Sequence, residues 1–440
     1  MAPAEIERIA TGDAGFAARF GALERRRSAE RAELQDRVAA IVDDVRRRGD
    51  DAVLDAIERF DGYRLRPEEL VVADTELEAS AARLPRADHE ALELAAERVR
   101  RFHSLHVPAS WTSQAPDERL GQIVRPIARV GLYVPAGAAP LASTTLMLGI
   151  PAEVAGVPER QMCSPGKQLH PAVAAAARLA RVTRVCRVGG AHAIAALAFG
   201  TERIHRVDKI VGPGTAHTQE AKRQVFGQVA IDSEAGPSEV FIVADSAARA
   251  DFVAADLLAQ AEHDPLASVV LATPSAELAA AVSAEISSQL PALSRESTAR
   301  RSLGDRSLLI VTRDLVEACE LANRYGAEHL QLCVADPDEC LSRIDCAGAI
   351  FLGGYSPVPI GDYAAGPSHV LPTGGTARFF SVVGVEDFQR RISLIDLSEA
   401  AFRRIAPAAV RLARLEGLDA HARALEIRLE SRPAGLDRKP

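Results

Sequence analysis

Short aliphatic runs that end in glycine turns and then give way to helical stretches dominate the middle of this 440-residue chain. "VGLYVPAG" (130–137) leads into "STTLMLGIPAEVAGV", "VCRVGG" (185–190) into "AHAIAALAFG", and "KIVGPG" (209–214) into "TAHTQEAKRQVFG". "EVFIVAD" (239–245) precedes "FVAADLLAQAEHDP", and "SVVLATPS", "SLLIVTR" and "GAIFLGG" each have a helical neighbour. Strands alternating with helices require crossover connections, and so a largely parallel, doubly wound sheet. The chain is too long for one ordinary core, and the runs suffice for two sheets, with a seam near "IDSEAGPSE" (231–239). The expected class is α/β: two Rossmann-like doubly wound lobes with helical N- and C-terminal segments. Residues 1–105 read as helical, from apolar spacings in "RAELQDRVAAIVDDVRRRG" and "HEALELAAERVRRFHSL", and the tail after Arg378 reads as helical too. The expected division is 1–28, an N-terminal helical segment; 29–129 with 239–380, a first α/β domain; 130–238, an inserted second one; and 381–440, a helical C-terminal segment. The last has too little apolar surface for a core of its own.

A formal charge of −8 argues against non-specific nucleic-acid binding, which needs a concentrated basic surface. The clusters "LERRRSAER" and "DDVRRRGDD" are flanked by acids at helical spacing and read as solvated faces laced with ion pairs. No apolar run approaches the ~20 residues that span a bilayer. "MAPAEIERIATGD" lacks the layout of a signal peptide. The six cysteines form no C-x-x-C pair and several lie in apolar runs. They read as reduced thiols of a cytoplasmic protein, so a bound metal would take nitrogen and oxygen ligands.

Four of the eleven histidines stand in unusual company. His263 follows Gln260 by three residues, so both side chains share one helix face before Asp264-Pro265 stops the helix. His329 directly follows Glu328 in "RYGAEHLQL", where a helical stretch meets an apolar run. Histidine is a base poised near neutrality, and a neighbouring carboxylate can do separate proton work. His369 lies in the glycine- and proline-rich "GDYAAGPSHVLPTGG", which also holds Asp362. His421 follows a break at "LEGLDAHARA", where Gly417 can end one helix and Asp419 cap the next, leaving Glu416 and His421 at the junction. Gln260, His263, Asp362 and His421 together would suit zinc. Each also has an ordinary structural reading, as a polar helix end, a turn cap or a solvated imidazole, and spacing alone cannot assemble four distant residues. The turn in "VGGAHAIAALAFG" is a candidate for a cofactor pyrophosphate, yet no G-x-G-x-x-G occurs.

The long segment "IDSEAGPSEVFIVADSAARADFVAADLLAQAEHDP" (231–265) resembles the signature of the histidinol dehydrogenase family. The resemblance continues through "GLYVP", "KIVGPG", "AKRQVFG", "EHLQL", "GAIFLG", "GDYAAGPSHVLPTGGTARF" and "EGLDAHARA", across roughly residues 30 to 430. It implies NAD-dependent oxidation of L-histidinol through L-histidinal to L-histidine, with one zinc per subunit. Position by position it implies Gln260, His263, Asp362 and His421 as zinc ligands that also meet the substrate, and Glu328 and His329 as the acid/base pair. His329 also stands with Ser238, His369 and Glu416 as a substrate contact. Tyr133, His192 and Thr215 fall on cofactor contacts, so that 130–238 is the NAD side and 239–380 the zinc side. The family is a homodimer with intertwined C-terminal segments, which makes 381–440 the dimerisation segment and sends Glu416 and His421 to the partner's site. The chain departs from the family at His192, usually glutamine, and Thr215, usually asparagine. Two rivals stand beside this reading: a zinc-dependent paralogue acting on another small polar alcohol, and a non-catalytic ligand-binding relative. The first should have lost His369 and Glu416; the second has no use for Glu328 with His329.

Overall fold

A computed structural model of the chain describes residues 6–25, 32–136, 140–234 and 236–431. It begins with a short strand, β1 (Arg8–Ala10), and helix α1 (Phe16–Glu24). Four helices follow: α2 (Ala32–Arg48), α3 (Asp50–Asp61), α4 (Asp74–Ala81) and α5 (Arg86–Ser104). Two antiparallel strands, β2 (Trp111–Ala115) and β3 (Glu118–Pro126), come next. The first run of alternation is β4 (Arg129–Tyr133), α6 (Ala142–Val154), β5 (Glu159–Cys163), α7 (Pro171–Leu179), β6 (Arg184–Cys186), α8 (Gly190–Phe199), β7 (Lys209–Val211), α9 (Ala216–Val225) and β8 (Ala230–Ile231). These strands form an all-parallel sheet in the order β6-β5-β4-β7-β8.

The second run is β9 (Glu239–Ala244), α10 (Ala250–Ala261), β10 (Ser268–Thr273), α11 (Ala276–Gln289), α12 (Glu296–Asp305), β11 (Leu308–Val311), α13 (Leu315–Tyr325), β12 (His329–Cys333), α14 (Pro337–Leu341), β13 (Ala349–Leu352) and α15 (Val358–Tyr363). With β1 it builds a parallel sheet in the order β1-β11-β10-β9-β12-β13. Every residue of β9, β10 and β12 is buried, as expected of parallel strands covered on both faces. The strand order reverses between β4 and β7 in one sheet and between β9 and β12 in the other, a doubly wound topology in both.

The helices α2 to α5 lie elsewhere than the grouping of 29–129 with 239–380 expects. Val38, Val42, Val53 and Ile57 of α2 and α3 share a core with Ile194, Leu197 and Val225 of α8 and α9. Ala95, Ala96 and Val99 of α5 pack on Leu146, Met147 and Ile150 of α6. Both cores belong to the five-stranded sheet. An amphipathic pattern tells which face of a helix is buried but not what buries it. β1 likewise corrects the all-helical reading of residues 1–105; three residues are too few to display a period.

The chain divides into a larger unit, residues 1–107 with 126–388, and a smaller one, residues 108–125 with 389–440. In the smaller unit a nine-residue strand, β14 (Gln389–Leu397), runs beside β3, and two helices follow, α16 (Glu399–Leu415) and α17 (Asp419–Glu430). The tail after Arg378 is therefore not all helical. "QRRISLIDL" alternates at the period of a strand, but its partner lies far back in the chain, where no local pattern shows it. Ser398 caps α16 by accepting from the Ala401 N–H (3.1 Å), and Gly417 (φ +71°) ends the hairpin turn. Leu418, not Asp419, is the capping residue of α17; Asp419 sits inside its first turn.

All six cysteines are buried and free. "DDVRRRGDD" forms surface ion pairs, Arg48 with Asp44 (3.0 Å) and with Asp55. Most of "LERRRSAER" lies outside the described residues. Among the described residues, no helix is long and apolar enough to cross a membrane.

Candidate active site

Helix α10 leaves the carboxyl end of β9 and runs back along the sheet, so its last turn arrives at the amino ends of the strands. That is why a helix so apolar at its start finishes on Gln260, Glu262 and His263. Pro265 ends it, since it supplies no N–H and clashes with the preceding turn, and the Asp264 carboxylate accepts from the Leu266 N–H (2.8 Å). Helix α13 returns to the same edge. Asp314 caps it through the Glu317 N–H (2.8 Å), Gly326 ends it in the left-handed conformation, and Glu328 and His329 then lead into β12. Gly348 sits so close behind that a Cβ there would lie 2.6 Å from the Glu328 carbonyl oxygen.

Glu239, the first residue of β9, holds both members of the pair with its backbone. Its N–H donates to Glu328 Oε2 (2.8 Å), and its carbonyl oxygen lies 2.9 Å from His329 Nδ1. A carbonyl only accepts, so Nδ1 carries the proton and Nε2 keeps its lone pair. Nε2 is buried with no hydrogen-bond partner, 3.8 Å from Asp362 Oδ1. Burial draws the His329 pKa down to about 4, opposed by the Glu239 carbonyl and reinforced by His263 and His369, so the ring is neutral at neutral pH. Burial drives the Glu328 carboxyl well above its usual range, against the Glu239 N–H and with the charges of Glu239 and Asp362.

Asp362 belongs to α15, and burial raises its pKa to about 6. His369 Nδ1 donates to the Asp362 carbonyl (2.7 Å), which leaves Nε2 as the acceptor for the Thr144 hydroxyl (3.1 Å). Burial holds His369 near pKa 4. Gln260 is buried with its side-chain nitrogen unpartnered. His263 is exposed on one side, yet surrounding protein still lowers its pKa through desolvation, Glu262 opposing and Arg295 adding. Ser238 is half-buried, directly before Glu239. A cavity of 310 Å³, lined by His329, Phe351, Gly361, Asp362, Ser368 and His369 among others, opens at this cluster. Its size suits a small molecule.

The larger unit thus brings together Glu328, His329, Asp362 and His369, with His263 close enough to act on both rings. Glu416, at the end of α16, and His421, in the first turn of α17, are exposed residues of the smaller unit. Among the described residues no group of three or more His, Cys, Asp or Glu is arranged to hold a metal. Only His263 and Asp362 of the expected set in the larger unit are of those types; the third is the glutamine. The donor types nonetheless fit a divalent cation: Asp362 is a desolvated carboxylate, His263 an imidazole whose pKa is lowered, and Gln260 a buried amide that can offer its oxygen.

The expected cofactor residues gather on the five-stranded sheet. Tyr133, the last residue of β4, accepts at its hydroxyl from the Gly190 N–H (3.0 Å) and from Thr218 (3.3 Å). One of the free N–H groups expected at the start of α8 is therefore already taken. His192, in the first turn of α8, is buried against Phe60 with Nε2 unpartnered, and burial lowers its pKa to about 4. Thr215 precedes α9, exposed, with its hydroxyl 3.4 Å from that of Thr218.

The sequence reading missed several residues that this geometry uses. Glu239 acts through its peptide group, which every residue has. Thr144 lies 225 positions from His369. Arg98 of α5 donates to the carbonyls of Ala364 (2.5 Å) and Ala365 (3.1 Å), fastening the loop between Asp362 and His369. No spacing signal marks any of the three.

Residues 24–429 match the sequence profile of histidinol dehydrogenase. The chain is 49% identical over 421 residues to the histidinol dehydrogenase of Cereibacter sphaeroides, covering 94% of this chain and 96% of that one. It is 50% identical over 406 residues to that of Deinococcus radiodurans, covering 91% and 92%. The crystal structure of histidinol dehydrogenase from Elizabethkingia anophelis superimposes with a TM-score of 0.92 at 32% identity, covering 98% of this chain and 99% of that one. The chain belongs to the histidinol dehydrogenase family.

Proposed function

We infer that this chain oxidises L-histidinol to L-histidine by way of L-histidinal, as the final steps of histidine biosynthesis. The observation that carries the chemistry is the pair Glu328–His329, both oriented by the backbone of Glu239 at the mouth of a small cavity. Overall, an alcohol and water become a carboxylate in two two-electron oxidations, with two NAD⁺ reduced and three protons released. When bound, NAD⁺ would supply the hydride acceptor and zinc would supply a cationic anchor that orients the nitrogen-rich substrate.

Gln260, His263 and Asp362, with His421, would hold the zinc. Tyr133, His192 and Thr215 would meet the cofactor; imidazole and hydroxyl can still hydrogen-bond where the family carries amides. His329 takes the substrate's hydroxyl proton at Nε2, the one ring nitrogen its tautomer leaves free. Glu328 takes a proton from the water that hydrates the aldehyde; burial makes its carboxylate the stronger base. Ser238, His369 and Glu416 complete the contacts that select the substrate.

Glu416 and His421 serve the site of a second subunit in this reading. The smaller unit supports it by exposing Ile405, Leu412 and Leu415 of α16, apolar surface that suits a partner chain. Six free buried thiols suit the cytoplasm. The test is NADH formation from L-histidinol and from L-histidinal against a panel of other small alcohols; equal turnover of the panel would overturn the substrate reading. Mixing His263→Ala with His421→Ala subunits after dissociation tests the shared site. A mixed dimer concentrates both defects in one site, so about a quarter of sites recover. No recovery, with exchange confirmed, places His421 in its own chain's site.

A further inference from the structure

Lys222 of α9 and Asp232, just past β8, form an ion pair sealed from water, with side chains 0% and 2% exposed. Removing two charges from water carries a desolvation cost that apolar residues of similar volume would avoid. Such a pair is a poor way to fill a core, and these two charges are aimed at the same backbone residue. Lys222 Nζ donates to the Gly212 carbonyl (3.0 Å), while the Gly212 N–H donates to Asp232 Oδ2 (2.7 Å). Both hydrogen-bonding groups of one peptide position are thus held by charged partners, the stronger kind of hydrogen bond.

Gly212 opens the turn from β7 into α9. It has φ +130°, and a Cβ there would stand 2.2 Å from the Tyr133 carbonyl oxygen, so the turn presses directly on the end of β4. Three residues on, Thr215 begins α9, and Thr218 in its first turn donates to the Tyr133 hydroxyl (3.3 Å). Main chain and side chain of Tyr133 therefore both rest on the segment that Lys222 and Asp232 fix.

We propose that Lys222 and Asp232 are positioning residues of the cofactor site, holding the Gly212–Pro213–Gly214 turn so that Tyr133 and Thr215 stand ready for the nicotinamide cofactor. The proposal rests on the assignment of Tyr133 and Thr215 to that cofactor. Neither charge touches it; the pair acts through the turn.

Breaking one partner alone leaves an unpaired buried charge and endangers the fold, so the working variant is the double substitution Lys222→Met with Asp232→Asn. It removes both charges and keeps an acceptor for the Gly212 N–H. NADH binding is measured directly by titration, beside metal content, L-histidinol binding and thermal midpoint. The NADH dissociation constant should rise on the order of 10-fold, about 1.4 kcal/mol of lost binding. Metal content and L-histidinol binding should stay at wild-type values, a split that general destabilisation would not produce. An unchanged NADH constant in a folded double variant overturns the proposal, as does parallel loss of all three properties or failure to fold, each of which assigns the pair to the core. A wild type that binds no NADH overturns the cofactor reading itself, and this inference with it.

Discussion

The two parallel sheets offer opposite edges for work. In the five-stranded sheet, the expected cofactor residues cluster past the carboxyl ends of β4, β6 and β7, beside the point where strand order reverses, the usual crevice of doubly wound sheets. In the six-stranded sheet, Glu328 and His329, the proposed acid/base pair, stand at the amino ends of β9 and β12, the edge that rule leaves out, with Gln260 in the last turn of α10 and His263 just past its end. Their polar atoms differ too. At the cofactor edge they are mostly satisfied: Tyr133 by Gly190 and Thr218, Gly212 by Lys222 and Asp232. At the catalytic edge His329 Nε2 and Gln260 Nε2 have no partner and two carboxyls are pushed up by burial. Unmade bonds in a buried place are costly, and they persist where a substrate or ion completes them. At one edge the turns are tied down, with His192 Nε2 the exception; at the other the unpartnered atoms lie on the residues proposed for chemistry.

Metal removal and five substitutions can break or sharpen that contrast, in descending order of expected effect. Removing the metal by exhaustive chelation, or by His263→Ala, should abolish turnover and take zinc from about one per chain to none; metal analysis and NADH formation check both. Full activity in a metal-free chain would mean that the catalytic edge is complete without an ion.

Next come the two proton-handling groups. His329→Ala should slow L-histidinol oxidation by roughly 10²–10⁴-fold, and Glu328→Gln should slow chiefly the oxidation of supplied L-histidinal by a similar factor. Equal losses in both half-reactions for both variants would argue that the pair works as one group.

A smaller effect is expected at the cofactor edge. Tyr133→Phe removes the acceptor for Gly190 and Thr218, at a cost of about 1–3 kcal/mol in stability. It should weaken NADH binding several-fold while sparing L-histidinol binding. Loss of the latter instead would show that the two edges are not separable.

The smallest effect is at His192. Folded, its pKa lies near 4; unfolded, an imidazole titrates near about 6.5. Between those values the unfolded chain holds a proton that the folded chain does not. The stability this contributes is therefore intact above about pH 6.5 and lost as pH falls toward about 4. His192→Gln should shrink the drop in thermal midpoint between about pH 7 and about pH 5. An unchanged drop would mean that the ring is charged or exposed in the folded state.

Much of this was legible beforehand, for reasons that can be named. Strand periods, glycine turns and the Pro265 stop are local properties, so the two doubly wound sheets and the polar end of α10 could be read directly. The adjacency of Glu328 and His329 is covalent and equally plain, and the long motifs around residues 231–265 and 361–379 carry the family. Tertiary structure decided the rest. Which sheet α2 to α5 cover depends on which apolar faces fit together. β14 was missed because its partner strand is remote in sequence. The tautomer of His329 follows from one carbonyl of β9, the ring of His369 is set by a hydroxyl on α6, and Gly212 is fixed by two charges ten residues apart. Side-chain type is written in the sequence, but protonation, orientation and the free lone pair are properties of the surroundings, and only folding supplies those.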